Sequence, residues 1–353
     1  MSAADFEVRL GRQLHRWREP GAAELCVALR ELLGAAAESV RTIRLQRFQK
    51  GVYRLRIGSP APNHSVILKR HEPAIAQRDR LTLERWLPRL GLEDGCAPLL
   101  AAAAERQGLW VWHVYEDLGD ETLAVSWSRS SLRAAIDLIA ELHTRGARHP
   151  LLPEVRRHAP DHGIQFFCTS VRDAIAGLEG LSPDGRCFSA ESVSARARLL
   201  EQLYHLLEDM PQRAQAMADA GGPDTLLHGD LWPQNIFLTS NGEGIRAQLI
   251  DWDHVSLGPV SYDLSTFIYR APAEERTWVL ERYREVVEAH GWVLPTNDEL
   301  DLLCHTAESA RCASCIPWPV IALHEGAEWG ADQLVEIERW FAALRPPFSA
   351  GSP

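Results

Sequence analysis

A chain of 353 residues is longer than one hydrophobic core comfortably fills, so two lobes are expected. Apolar content of 46% and charged content of 24% are globular values, which exclude a disordered chain, and no apolar run of about 18 residues is present to cross a membrane. A net charge of −11 argues against nucleic acid as a partner. The mixed charges at the N-terminus do not look like a secretory leader, so no membrane association and a cytoplasmic location are the default expectations.

Residues 40–47 and 52–57 alternate apolar and polar side chains, which predicts two strands with one buried face. Phe48, Gln49, Lys50 and Gly51 form the loop between them, with a single glycine. Residues 65–70 predict a third strand with Lys69 near its end. Only Lys50 and Lys69 are lysines among 37 basic residues, and both fall in this stretch. A compact ammonium on a flexible stem reaches oxygens in a narrow cleft where a planar guanidinium fits poorly, so the two survivors point to phosphate binding. Residues 80–87 predict a helix carrying Glu84, with Asp79 just before it. Residues 109–119 run from a strand into a polar connector at Tyr115, Glu116 and Asp117.

Residues 130–143 predict a helix that starts at a serine cap and ends at Gly146. Residues 149–190 carry Pro150, Pro153, Pro160 and Pro183 and predict an irregular insertion holding Asp161 and His162, suited to wall an acceptor site. A helix is expected over 190–210, stopped by Pro211. The run His228, Gly229, Asp230 with Asn235, then Ile250, Asp251, Trp252 and Asp253, carries the chemistry. Asp230 and Asn235 lie five residues apart on one expected tight loop, and Asp251 ends an apolar strand paired through a turn at Asn241 and Gly242. In kinase chemistry a carboxylate so placed orients an attacking hydroxyl, while an amide oxygen and a second carboxylate hold a hard cation.

With Gly258, Pro259, Tyr262, Asp263 and Leu264 following in order, these residues resemble the aminoglycoside phosphotransferase and choline kinase-like family of small-molecule kinases. The resemblance implies an α+β, two-lobed protein-kinase-like fold. Its small antiparallel-sheet N-lobe would cover residues 1–117, and its larger, mostly helical C-lobe residues 118–353. It implies transfer of a γ-phosphoryl group from ATP, or GTP, with Mg, to a hydroxyl of a small molecule. Asp230 is the implied catalytic base, and Asn235 and Asp251 the metal ligands. Lys69 grips phosphates with Lys50 nearby, Glu84 or Asp79 pairs with Lys69, and the backbone at Tyr115, Glu116 and Asp117 meets the base. His143, His228 and Asp263 are expected to be structural, and Asp253 to assist the metal. A protein serine/threonine kinase, a nucleotide-binding module without turnover and a metal hydrolase are the competing readings; a monomer or homodimer is expected.

Residues 1–117 hold 18 basic and 14 acidic residues, and residues 118–353 hold 19 and 34. An acidic acceptor half favours a cationic acceptor such as an aminoglycoside or amino alcohol. The seven cysteines, Cys26, Cys96, Cys168, Cys187, Cys304, Cys312 and Cys315, are odd in number and scattered, which predicts free thiols. Cys312 and Cys315 read as small residues of a packed helix. Helices are also expected over 273–289, 298–313 and within 321–344, the last interrupted or capped near Gly330.

Overall fold

In this computed structural model residues 3–348 are described, apart from 17, 59–63, 183–188 and 243; Cys187 and Pro183 therefore lie outside the described residues. Helices α1 (Ala3–Arg16), α2 (Ala22–Leu33) and the short α3 (Ala36–Ser39) precede β1 (Thr42–Gln49), β2 (Val52–Gly58) and β3 (His64–His71). Next come α4 (Pro73–Leu81), a π-helical turn over Thr82–Trp86, α5 (Leu87–Arg89), β4 (Leu99–Ala104) and β5 (Val111–Glu116). The chain continues through α6 (Arg129–Gly146), α7 (Leu152–His158), α8 (Ile164–Gly180), α9 (Ala190–Glu208) and α10 (Met210–Ala220) to β6 (Thr225–Leu227). After β7 (Ile236–Asn241), β8 (Gly244–Leu249) and β9 (Ser256–Gly258) come α11 (Ser261–Arg270), α12 (Arg276–Ala289), α13 (Asn297–Ser314), α14 (Pro317–His324) and α15 (Trp329–Ala343).

Contacts divide the chain into two compact units, residues 1–138 with 234–255, and residues 139–233 with 256–353. The boundary expected at 117 thus falls inside the first unit, and the hairpin β7–β8 folds with the N-terminal residues.

The first unit is built on an antiparallel sheet of order β1-β2-β3-β5-β4. Side chains alternate across it. Tyr53, Leu55, Ile57, Val66, Leu68, Trp112 and Val114 form one buried face with Leu10 and Leu14 of α1 and Leu25 and Leu29 of α2. Sequence reasoning assigned no element to residues 1–39, yet α1 and α2 supply a third of that core. The opposite face, with Val52, Arg54, Ile67, Lys69 and Tyr115, lines a cavity. The phosphate loop expected over four residues is a two-residue turn at Lys50 and Gly51, because β1 runs through Gln49; Gly51 takes φ +80, a backbone that costs glycine little. From Pro73 to Arg89 the helical path is longer than the predicted 80–87, with the wide turn just before Pro88, which has no N–H to donate.

The second unit is mostly helical. Phe167, Val171 and Leu178 of α8, Leu199 and Leu203 of α9, Cys312 of α13 and Leu334 and Ile337 of α15 make its core. The described residues of 149–190 are not irregular: α7 and α8 occupy most of them, with Pro153 at the tolerant start of α7. The helix expected over 190–210 is α9, which ends at Glu208, and Pro211 sits in the first turn of the next helix, α10. The last expected helix is two, α14 and α15, parted at residues 325–328. The described cysteines are free, and all but the half-buried Cys315 are buried. No helix among the described residues is long and apolar enough to cross a membrane.

Candidate active site

In the first unit, Asn235 O accepts a hydrogen bond from Ile250 N at 3.0 Å, just beyond the Ile236–Leu249 pair of the β7–β8 ladder. That ladder brings Asn235 and Asp251 to the same end of the hairpin. Asp251 adopts φ 68, ψ 60, a left-handed conformation uncommon for a residue with a side chain, and backbone strain of this kind concentrates at functional sites. Lys69 Nζ stands 2.6 Å from Asp251 Oδ1 and 2.7 Å from Asp253 Oδ2. Burial acts to lower the proton affinity of Lys69, but the two carboxylates outweigh it and hold the ammonium above its ordinary value. Burial pushes the Asp253 carboxyl up, against the attraction of Lys69.

Two acids face one ammonium, leaving a local excess of negative charge. Asp253 Oδ1 is buried with no hydrogen bond, 3.4 Å from His71 Nδ1, and Arg78 Nη2 donates to Asp253 O at 2.6 Å. Asn235 is buried at the same hairpin end. Two carboxylates, one with an unsatisfied oxygen, and a neighbouring amide make a hard-oxygen donor set suited to a small divalent cation.

Of these groups Lys69 and Asp251 border a cavity of about 540 Å³ that runs from Phe48 and Val52, past Leu83 and Ala97, to residues 116–120. The connector is fixed by a clamp that sequence reasoning missed. Arg54, 4% exposed, reaches Asp117 Oδ2 at 2.8 Å, Asp120 Oδ1 at 2.5 Å and Gly119 O at 2.5 Å; Ser65 Oγ and Gly119 N also donate to Asp117. Tyr115 and Glu116 border the cavity together with Asp117. Tyr115 lies inside the sheet, paired with Ile67 on one side and Leu99 on the other, and Glu116 N donates to Pro98 O at 3.0 Å.

Glu84 is not brought to Lys69: it pairs with Arg80 at 2.7 Å on an exposed helix surface. Lys50 is exposed at the hairpin tip and does not line the cavity. Asp79 lines it, buried at 2% exposure, but accepts from Tyr115 Oη at 2.7 Å and lies 2.9 Å from His113 Nδ1. His71 Nε2 is 3.0 Å from the same tyrosine oxygen. His71, Asp79 and His113 group like metal ligands, but the Tyr115 hydroxyl lies within hydrogen-bond distance of all three and engages them. Burial, with Lys69 nearby, lowers the His71 pKa to about 3, so this ring is neutral. On the sheet's other face Glu19 accepts from Tyr53 at 2.5 Å and pairs with Arg70, tying the N-terminal helices to the strand that carries Lys69. A lone acid between two helices gave no signal of this in the sequence.

In the second unit, Gly229 has φ +82, and His228 N and Gly229 N both donate to Asp263, at 2.7 and 2.9 Å. Asp263 is fully buried, and His143 Nε2 lies 3.2 Å from its Oδ2. Burial acts to raise the Asp263 carboxyl, but the hydrogen bond and charge of His143, with His228 and the Gly229 amide, hold it below the usual range. His228 Nδ1 accepts from Asp230 N at 3.3 Å, and Trp232 N donates to Asp230 O at 2.8 Å. Asp230 is half-buried on this rigid turn. Asp263, His143 and His228 thus brace the turn that presents Asp230.

The profile of the phosphotransferase enzyme family matches residues 45–303. The chain belongs to that family. It is a small-molecule phosphotransferase of the kinase type. No curated protein sequence matches it significantly. Among solved structures, an ethanolamine kinase of Plasmodium vivax aligns with a TM-score of 0.56 at 13% identity, over 90% of this chain and 85% of that one. A macrolide 2'-phosphotransferase from Brachybacterium faecium gives 0.53 at 17% identity, over 91% and 99%. An aminoglycoside phosphotransferase from Streptomyces rimosus, in complex with ADP and streptomycin, gives 0.52 at 18% identity, over 81% and 97%. At such identities the likeness establishes the α+β protein-kinase-like fold of this phosphotransferase and nothing finer.

Proposed function

We propose that this phosphotransferase uses ATP and magnesium to phosphorylate a hydroxyl group of a small molecule. The observation that carries the reading is Lys69 flanked by Asp251 and Asp253 on the wall of a large, mainly apolar cavity that residues 117–119 also border. The apolar walls suit a planar base, and the ADP bound to the Streptomyces rimosus relative supports an adenine nucleotide. Lys69 grips the phosphates that are not transferred, and Asn235, Asp251 and Asp253 offer oxygens to magnesium. When bound, magnesium supplies positive charge beside the phosphate oxygens. Asp230 orients the acceptor hydroxyl and takes its proton, and the brace at Asp263 keeps its carboxylate aligned. Alignment and charge stabilisation then supply most of the rate.

A coupled ADP-release assay over hydroxyl-bearing compounds tests this. Asp230→Asn should lower kcat about 100- to 10,000-fold, the usual worth of a positioned base, while nucleotide affinity by calorimetry stays unchanged. Wild-type turnover in that variant overturns the role of Asp230.

A further inference from the structure

Two residues beyond Asp230, the Trp232 ring is covered by the Arg270 guanidinium 4.1 Å from its centre, with Arg311 at 5.7 Å. Both arginines share one acid. Glu308, 2% exposed, accepts from Arg311 Nε at 3.0 Å and from Arg311 Nη2, and from Arg270 Nη2 at 2.8 Å. Arg311 therefore takes both carboxylate oxygens, and Arg270 shares one of them. The other bond of Arg270 goes to Thr266 O at 2.9 Å, and its Nε is buried without a partner. The two arginine side chains are only 14% and 15% exposed. Two largely desolvated cations against one anion leave a net positive charge in a place where charge is poorly screened.

That charge lies against Trp232, whose backbone N–H donates to Asp230 O at 2.8 Å. Glu308, Arg311 and Cys315 follow one another along one side of α13 and its end, and the Cys315 thiol, raised mainly by burial, also feels the Asp230 carboxylate. The acid excess of residues 118–353 is spread over surfaces that salt screens beyond about 8 Å, whereas the arginine pair acts at contact. An ammonium group also finds the covered face of Trp232 taken, because a guanidinium already lies on it.

We propose that the acceptor carries an oxyanion, such as a carboxylate or phosphate, which Arg270 and Arg311 neutralise while its hydroxyl meets Asp230. The inference rests on Asp230 being the base. It reverses the acceptor charge expected from the acidic composition.

Matched acceptors in the ADP-release assay decide it: gluconate, glucose and glucosamine, then glycerate, glycerol and 2-aminopropane-1,3-diol. The wild type should favour the carboxylates by about 10-fold or more in kcat/KM over their neutral and amine partners, the scale of one or two charge-assisted hydrogen bonds. Arg270→Gln, which leaves Glu308 paired with Arg311, should erase that preference through KM for the acceptor, leaving KM for ATP unchanged. Arg270→Lys should restore part of it. A wild-type preference for the neutral or amine partners, with Asp230→Asn inactive on them, overturns the charge assignment and leaves the kinase reading intact. If none of the compounds elicits ADP release that depends on Asp230, the base assignment fails and the inference with it.

Discussion

Replacing Lys69 by methionine isolates the central charge arrangement. Its Nζ lies 2.6 and 2.7 Å from two carboxylates, and each contact is worth about 6 kcal/mol of gross attraction at an effective dielectric of roughly 20. Burying the ammonium and crowding the two acids offset most of this. Removing one member of a buried pair typically costs about 3–5 kcal/mol. The lower end applies here, because the Asp251 side chain is 35% exposed and water can reach it. Lys69→Met should therefore destabilise the first unit by about 3 kcal/mol at pH 7, a fall of about 6–12 °C in its thermal midpoint. Without the ammonium, Asp251 and Asp253 repel each other, which raises their folded pKa values above the unfolded ones. The penalty is then fully present above the raised values and fades as pH falls toward about 4. Millimolar magnesium should restore part of the variant's stability and alter the wild type less. Thermal unfolding at pH 7 and 4.5, with and without magnesium, checks this. A gap of the same size at both pH values, untouched by magnesium, would refute the charge argument and leave only lost packing.

The same unit should lose stability below neutrality through His71. Its folded pKa of about 3 lies below the ordinary histidine value, so the unfolded chain takes up the proton first as pH falls through about 6.5. Between pH 6.5 and 5 that costs about 2 kcal/mol, visible in urea midpoints, and His71→Gln should flatten the slope. Asp117→Ala leaves the buried Arg54 only Gly119 O and the exposed Asp120, so it should cost about 2 kcal/mol in denaturation, the worth of a hydrogen bond to a charged group, and raise KM for ATP by loosening the connector. Glu84→Ala removes only an exposed pair with Arg80, so stability should move by less than about 0.5 kcal/mol and kinetics should be unchanged. A large kinetic defect in that variant would restore Glu84 as a partner of Lys69.

The strands around Lys69 were legible because period-two alternation survives wherever one face of a sheet is buried: Leu55, Ile57, Val66 and Leu68 all point to the core. Residues 149–190 were misread because prolines signal breaks, yet a proline in the first turn of a helix breaks nothing, as Pro153 of α7 and Pro211 of α10 illustrate. The N-terminal helices were passed over, although Leu10, Leu14, Leu25 and Leu29 recur at helical spacing.

The sequence offered Asp230, Asn235, Asp251 and Lys69 as candidates, since each sits in a short run that resembles a family motif. Which acid each base meets was not legible there. Lys69 is 182 residues from Asp251, Asp117 is 63 from Arg54, and Asp79 is 34 from His113. A buried charge takes whichever partner the packing of strands and helices delivers, and that delivery depends on sheet order and helix placement, which local spacing does not encode. Hence Glu84, plausible on its helix, turned to water, while Asp79, six residues after the helix start, turned inward to Tyr115.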